Sequence, residues 1–512
     1  MYITDMELIN AKISVVGILS QSDIIKYILE EDSKSPEKAA MIKGSNYYNA
    51  DHDSIHKQYN QVTVSETEET DGYEKEVLRT FKNPNRSNHH NVNCFHRLLV
   101  DQKVSYIAGR EPTISVDGSE TDGALKPYAD MVSEAADENF NEVLQDWITG
   151  ASNKGYEVLH FYYDNAGELK YCIVPAEEVI LIYDSAFQRE LEQVIRYYTV
   201  KVVKGGVEYL RRKVEWWTKE NVTYYAEKEE NIFVLDPDYP VNPLPHWYDI
   251  NLINGMEKRR TPHFWGCVPF IVLENNRNRT TDLKPVKGLI DAYDYISGEG
   301  TNNLLDLVEL YWVIQGYGGE TAGAIARKLQ INRAVNITDS SGSVEAKQVS
   351  LPVNERIEFL KMLRHDIYHF GMGIDVDNEN FGTAPSGVAL QFRYANLRHK
   401  CENMVPRLKR AIKEFFWFIT EDYNRKNSTA FDSSKIKVTI NYSQIANDAE
   451  TVSIINQSEG IISRKTQLEN HPFVTDVNEE IKRLEEEENK ANESYGHINI
   501  NPPLKDGGGD EQ

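Results

Sequence analysis

The stretch Ser386–Arg425, SGVALQFRYANLRHKCENMVPRLKRAIKEFFWFITEDYNR, carries the clearest structural signal in this chain of 512 residues. Its apolar side chains recur at alternating spacings of four and three, which predicts a long helix with a continuous apolar seam. Pro406 lies inside this helix and predicts a local kink, because the Glu402 carbonyl loses its hydrogen-bond donor. The seam consists of Leu390, Tyr394, Leu397, Cys401, Met404, Leu408, Ala411, Phe415 and Phe418.

Two more long helices are predicted upstream, at about 283–313 and 352–371, with a small α/β insert between them and an acidic, glycine-punctuated loop at 372–385. The insert has candidate strands at Ala334–Ile337 and Ala346–Val349. One chain of this layout cannot bury the apolar surface of these helices all round, so copies of the chain are expected to pack against it, and head-to-tail contacts usually close into rings. The predicted subunit-packing residues are Leu304, Leu307, Trp312, Leu360, Leu363, Leu390, Leu397, Leu408 and Phe415.

The rest of the chain predicts an α+β protein. Residues 155–240 alternate in the manner of antiparallel strands and are separated by glycine-containing turns, whereas helices are predicted at about 88–110 and 126–152. Residues 60–75 are polar and acidic and predict an exposed loop. The aromatic pairs on the predicted strands, including Trp216–Trp217, favour packing in the core over a ligand platform.

Composition excludes several classes of protein. Apolar residues make up 40% of the chain and charged residues 27%, values typical of a globular protein that is neither disordered nor membrane-spanning. There are 80 Asp and Glu against 56 Lys and Arg, a net charge of -24, which argues against a broad nucleic-acid-binding surface. Four widely spaced cysteines suggest neither a disulfide framework nor a cysteine zinc site.

No motif predicts catalysis, a cofactor or a metal ion. The glycines from Gly318 to Gly323 are followed by Ala324 rather than the lysine of a phosphate-binding loop. The acidic loop fails the calcium-loop template at Asn380 and Ser386. His89, His90, Cys94 and His96 are spaced so that a helix would direct them to different faces, which favours surface and helix-cap roles over a zinc site.

Four ordered motifs resemble the portal proteins of tailed bacteriophages, specifically the siphophage type. The first is Lys43-Gly44-x-x-Tyr47-Tyr48-x-x-x-His52-Asp53-x-Ile55, and the second runs from Asn88-His89-x-Asn91 through Asp101-Gln102-Lys103 to Glu111-Pro112. The third runs from His263 through Asn275-Asn276 into Asp282 and on to Asp291-Ala292-Tyr293-Asp294, and the last is Ser386-Gly387-x-Ala389-Leu390. The likeness covers about residues 40–445.

The resemblance implies a non-enzymatic ring, usually a dodecamer, at one capsid vertex, through which double-stranded DNA passes during packaging and ejection. Implied partners are further copies of the chain, the terminase, the head-completion adaptor protein, the major capsid protein and the scaffold, in the virion and, during assembly, in the host cytoplasm. The implied parts are N-terminal helices and a β-rich wing (1–282), stem helices (283–313 and 352–371), a small α/β clip (314–351), a tunnel loop (372–385), a kinked tunnel helix with a returning wing strand (386–445), a helical crown (446–495) and a disordered tail (496–512).

The charge of the chain suits a conduit that must not hold its cargo, because an acidic ring opposes stationary binding of phosphate. The residues expected to line the channel at the tunnel loop are Asp375, Asp377, Asn378, Glu379, Asn380, Gly382 and Thr383. Gly371, Gly373, Gly382 and Gly387 are expected to allow the loop to yield. The candidate DNA-facing basic residues are Arg327, Lys328, Lys361 and Arg364. The alternatives are a capsid or scaffold protein without a channel and an ATP-dependent packaging component.

Overall fold

The computed structural model describes residues 5–16, 20–70, 73–82, 86–119, 121–184, 190–253, 256–306, 311–315, 343–347, 353–376, 387–443, 448–471, 473–474 and 477–495. Residues 1–375 and 396–443 form one compact unit, and residues 376–395 and 444–512 form another. None of the helices in the described ranges is both long enough and apolar enough to cross a membrane.

The N-terminal helices begin and end at recognisable capping residues. The Ser20 and Ser35 side chains accept hydrogen bonds from the backbone N–H groups of Asp23 and Lys38, and Gly155 ends a helix with φ of 91°, a conformation that favours glycine. The helices are α1 (Asp5–Val16), α2 (Gln21–Ser33), α3 (Pro36–Tyr48), α4 (Phe95–Ala108), α5 (Lys126–Ala135) and α6 (Glu138–Lys154).

The first strands form a hairpin where the sequence predicted a loop. β1 (Gln61–Thr70) pairs antiparallel with β2 (Tyr73–Lys82) in an unbroken register from Gln61 opposite Lys82 to Thr70 opposite Tyr73. The loop prediction was wrong because it rested on the polarity of the segment. The Val and Thr content of the segment favours strands, and the Asp71-Gly72 dipeptide is typical of a two-residue hairpin connection.

The predicted β-rich region is confirmed as antiparallel sheets. The larger sheet has the order β10-β9-β8-β7-β6 with β11 on β9, and the smaller has the order β14-β4-β5. Trp216, Trp217 and Tyr225 are buried, as predicted for core packing. The strands are β3 (Thr113–Val116), β4 (Tyr156–Tyr163), β5 (Leu169–Val174), β6 (Val179–Tyr183), β7 (Leu191–Lys204), β8 (Val207–Trp217), β9 (Asn221–Glu229), β10 (Ile232–Leu235), β11 (Leu244–Pro245), β12 (Trp247–Ile253), β13 (Met256–His263) and β14 (Phe270–Glu274).

The first long helix is shorter than predicted. Helix α7 (Lys287–Leu305) is followed by β15 (Tyr311–Gln315), which pairs with β16 (Ser343–Lys347), so Trp312 lies on a strand opposite Ala346. The Tyr-Trp-Val-Ile run has the aromatic and β-branched composition of a strand, and this preference prevails over continuation of the helix. The predicted strand at Ala334–Ile337 lies outside the described residues.

The helix with the apolar seam is two helices rather than one kinked helix. Helix α8 (Val353–Phe370) precedes α9 (Gly387–Glu402) and α10 (Val405–Asn427), and a turn at Asn403–Met404 separates the last two. Pro406 lies in the first turn of α10, where its missing N–H costs no hydrogen bond. The remaining elements are β17 (Ile436–Thr439), which pairs with β3, and helices α11 (Asp448–Gln457), α12 (Arg464–Glu469) and α13 (Val477–Tyr495).

Candidate functional site at the base of the long helices

Helix α7 is fixed at its middle by a carboxylate that makes four hydrogen bonds. Asp294 is fully buried; one of its oxygens accepts from His52 Nδ1 at 2.6 Å and from the Ser54 hydroxyl at 3.2 Å. The other oxygen accepts from both the backbone and the side-chain nitrogen of Asn93 at 2.9 Å. Nε2 of His52 lies 3.2 Å from the Tyr47 carbonyl oxygen, so both ring nitrogens face oxygen atoms.

A second set of charges fixes the first turn of α7. Lys287 Nζ lies 2.8 Å from Asp53 and 2.7 Å from Asp291, and the Tyr47 hydroxyl donates to Asp291. Partial burial opposes ionisation of Asp53, but hydrogen bonds from Lys287 and Lys43 outweigh it and lower the pKa of Asp53 to about 2. The first motif of the sequence therefore binds one side of α7.

The second motif begins as an extended segment and not as the helix predicted from residue 88. Its backbone is paired with polar side chains of α7: His89 N–H donates to Asn302 Oδ1 at 2.7 Å, and Asn302 Nδ2 donates to the His89 carbonyl at 3.0 Å. Asn91 Nδ2 donates to Ser297 and Thr301 at 2.9 and 2.8 Å. Because α7 supplies these partners, residues before Phe95 do not need helical hydrogen bonds.

Farther along the same motif, Lys103 lies in a buried ionic cluster. Its Nζ is 3.1 Å from Asp282 and also donates to Asn275 Oδ1, and Lys400 Nζ lies 3.2 Å from the same Asp282 oxygen. Burial alone favours the neutral carboxyl, but the two lysines outweigh it and hold the pKa of Asp282 well below its usual range. Burial correspondingly lowers the pKa of Lys103. The cluster joins α4, the segment before α7 and α9 within one compact unit.

The C-terminal end of α8 packs closely on α4. A Cβ atom on Gly371 would lie 2.6 Å from Leu99 Cδ1, and one on Gly373 would lie 2.2 Å from Leu99 Cδ2, so only glycine fits at both positions. Gln102 brackets Ile374, accepting from its N–H at 2.9 Å and donating to its carbonyl at 2.7 Å. The expectation that Gly371 and Gly373 let a loop yield is therefore wrong, because close packing accounts for both glycines.

Two predicted DNA-channel residues bind each other. Arg364 forms a two-point salt bridge with Asp375, with Nη2–Oδ1 and Nε–Oδ2 distances of 2.6 and 3.1 Å. Each charge is therefore offset by the other, and the assignment of both residues to the DNA channel stays a prediction. Lys361 is exposed and lies 2.9 Å from Glu358. The other predicted DNA-channel and basic residues lie outside the described ranges: Asp377, Asn378, Glu379, Asn380, Gly382, Thr383, Arg327 and Lys328.

The predicted subunit-packing residues divide into two groups. Leu363, Leu397, Leu408 and Phe415 are buried within the single chain, so their assignment to subunit contacts is wrong; Phe415, for example, packs on Phe140, Phe161 and Tyr171. Leu304 is 60% exposed and Leu360 is partly exposed. Leu307 lies outside the described residues, and the side chains of Trp312 and Leu390 lie outside the described part of the structure.

The sequence did not single out Asp294 or Lys400 as the centres of these clusters. Asp294 lies four residues after the buried Ile290 on α7, so it falls on the apolar face of the helix, and a carboxylate there signals a buried polar partner. His96, expected at the surface, is buried, and burial, the largest influence, lowers its pKa to about 4. Among the described residues, no group of three or more His, Cys, Asp or Glu side chains is arranged to hold a metal ion.

Residues 29–494 match the family model described as "Phage portal protein, SPP1 Gp6-like". The portal protein of Bacillus phage SPP1 is 30% identical over 492 residues, which cover 95% of this chain and 90% of that protein. The portal protein of Clostridium phage phiCD119 is 30% identical over 419 residues, covering 78% of this chain and 85% of that protein. The chain belongs to the phage portal protein family.

Proposed function

We propose that the chain assembles into a dodecameric ring at one capsid vertex and that DNA enters and leaves the capsid through the ring. The observation that carries this proposal is the apolar surface left on the two long helices beyond their fixed base. Large apolar side chains there are between 44% and 60% exposed: Leu304, Leu305, Val353, Ile357, Phe359 and Met362. Several large exposed apolar side chains on two packed helices are typical of an interface.

The base described above supports this function, because the polar contacts hold both helices while leaving their apolar faces for neighbouring copies. A chain with net charge -24 lines any common axis with like charge toward DNA, which opposes tight binding of a moving duplex. Residues 372–385 are proposed as the tunnel loop, and residues 314–351 as the clip that contacts the terminase and later the adaptor protein. The wing is proposed to contact the capsid protein and scaffold, and no catalytic step is assigned to the chain.

Ring formation is tested by native mass spectrometry and negative-stain imaging of the purified chain. Leu304→Glu and Ile357→Glu each place a charge in the proposed interface and should abolish the ring while leaving the circular dichroism spectrum unchanged. Val241→Glu is the matched control, because Val241 is 60% exposed in the β-rich region away from both helices. Rings formed equally well by all three variants would contradict the proposed interface.

The DNA path is tested by charge reversal of Asp377 and Glu379 in particles that package DNA in vitro. Two basic residues per copy at the proposed tunnel loop should retain DNA and slow its passage, and the slowing should weaken as salt is raised. Unchanged packaging at all salt concentrations would favour a capsid or scaffold role without a channel.

A further inference from the structure

The end of α8 is bonded to a lysine in the last turn of α9. Lys400 Nζ donates a hydrogen bond of 3.0 Å to the carbonyl oxygen of Gly371, directly after the last residue of α8. The same nitrogen lies 3.2 Å from Asp282, and the Lys400 side chain is only 11% exposed. Residues 376–395 belong to the other compact unit, and one side chain joins the segment before them to the segment after them.

Asp282 has other partners, so its charge does not by itself account for Lys400. Lys103 Nζ lies 3.1 Å from Asp282 Oδ2, and Asn275 Nδ2 donates to Asp282 Oδ1 at 2.8 Å. Burying the ammonium group of Lys400 carries its own desolvation cost in addition to that of Lys103, and the two ammonium groups lie side by side. What Lys400 adds is the contact with the end of α8, which neither Lys103 nor Asn275 makes in the described hydrogen bonds.

The end of α8 offers a carbonyl that needs such a donor. The last carbonyls of a helix and of the turn after it have no partner within the helix, and a lysine there also interacts favourably with the negative end of the helix dipole. Around this point, Gly371 N–H donates to Ile367 at 2.8 Å, Gly373 N–H to Tyr368 at 2.9 Å and Ile374 N–H to Gln102 at 2.9 Å. The exchange rates of these three amide protons therefore measure how firmly the chain is held directly after α8.

We propose that Lys400 is a positioning residue that fixes the chain on both sides of residues 376–395 to Asp282, so that this segment starts and ends at a constant place in every copy of the ring. The proposal rests on the proposed function, because that function assigns residues 372–385 to the tunnel loop. Its structural part concerns contacts within one chain and holds in any oligomeric state.

The test compares Lys400→Met, which keeps the aliphatic stem and removes the charge and donors, with Lys413→Met on the exposed surface of α10. In hydrogen–deuterium exchange, the amides of Gly371, Gly373 and Ile374 should exchange about tenfold faster in Lys400→Met, the change that the loss of about 1.4 kcal/mol produces. Amides of β4 and β14, which pair elsewhere in the same unit, should exchange at the wild-type rate.

The functional readout separates positioning from general stability. Lys400→Met chains should form rings of normal size with the normal thermal transition, yet particles built with them should package several-fold less DNA than particles with Lys413→Met. Lys400→Gln loses the charge and is one bond shorter, so its amide should not reach both Asp282 and the Gly371 carbonyl, and the three amides should again exchange faster than in the wild type. It is the second variant if the methionine variant does not assemble. Wild-type exchange at the three amides, or failure of both variants to fold, overturns the proposal. A wild-type chain that forms no ring overturns the proposed function and leaves the exchange result intact.

Discussion

Replacing Asp294 with alanine should cost more stability than any other single truncation on α7. The change removes the acceptor of four hydrogen bonds and leaves the His52 ring, the Ser54 hydroxyl and two nitrogens of Asn93 buried without that partner. Losing the acceptor of four hydrogen bonds should cost about 3–5 kcal/mol in total, because each donor left without a partner in the protein interior carries its own desolvation cost. Asp294→Asn keeps the shape and one acceptor but loses the charge, so its cost should be about half as large.

The measurement is equilibrium urea unfolding followed by tryptophan fluorescence, with the slope against denaturant compared between variants to confirm that the same surface unfolds. Asp130→Ala, an exposed carboxylate on α5, is the control and should change stability by less than about 0.5 kcal/mol. A loss below about 1 kcal/mol for Asp294→Ala would refute the reasoning, because it would mean that the four donors find other partners at little cost.

Three further changes test other parts of the structure. Burial lowers the pKa of His160 to about 3, so between pH 6.5 and about 3 this ring binds a proton in the unfolded state but not in the folded state. The free energy of unfolding should therefore fall as the pH drops from 6.5, by about 2–3 kcal/mol at pH 4.5. Urea midpoints measured across pH should show a smaller fall in His160→Gln. Gly44→Ala would place a Cβ 1.8 Å from the Asn153 carbonyl oxygen and should lower the melting temperature by several degrees, whereas Gly288→Ala, with no heavy atom within 4 Å, should be neutral or stabilising. The Arg364–Asp375 pair should show a coupling free energy of about 1 kcal/mol in a double-mutant cycle with the two alanine variants, and a value of zero would mean that the pair is only a surface contact.

Sequence patterns predicted the elements whose stability is local. The apolar seam correctly placed helices over most of Ser386–Arg425, because Met404, Leu408, Ala411 and Phe415 are buried at the predicted spacing. The same pattern could not show that the seam is buried within one chain, because the spacing of apolar residues does not identify what covers an apolar face.

Patterns failed where partners are distant in sequence. Residues 88–94 follow helical spacing, yet their backbone bonds are made by side chains about 200 positions later on α7, which no local rule registers. In the sequence, Arg364 and Asp375 give no sign of pairing, because the turn that brings them together depends on contacts with Leu99 and Gln102 of α4. The motifs that carry the resemblance, by contrast, contain the residues that meet at the base of the helices, although the resemblance did not predict the contacts these residues make. They are Tyr47, His52, Asn91, Lys103, Asp282, Asp291 and Asp294.

The polar character of this base has a mechanical consequence that an apolar junction lacks. Apolar packing holds α7 against α8 but permits small rotations of α7 about its own axis, because the energy of apolar contacts depends weakly on direction. The packed side chains include Leu283, Val286, Ile290 and Ile367. Hydrogen bonds to Asp294 and Asn302 fix the rotation of α7 about its own axis. Leu304 lies ten residues, about 15 Å, beyond Asp294, and a roll of about 20° would move its side chain by about 2 Å, enough to lose most of a close contact. Buried charges at the base therefore set where exposed apolar side chains point, and the copies in the proposed ring need that direction to be the same in each for the ring to close.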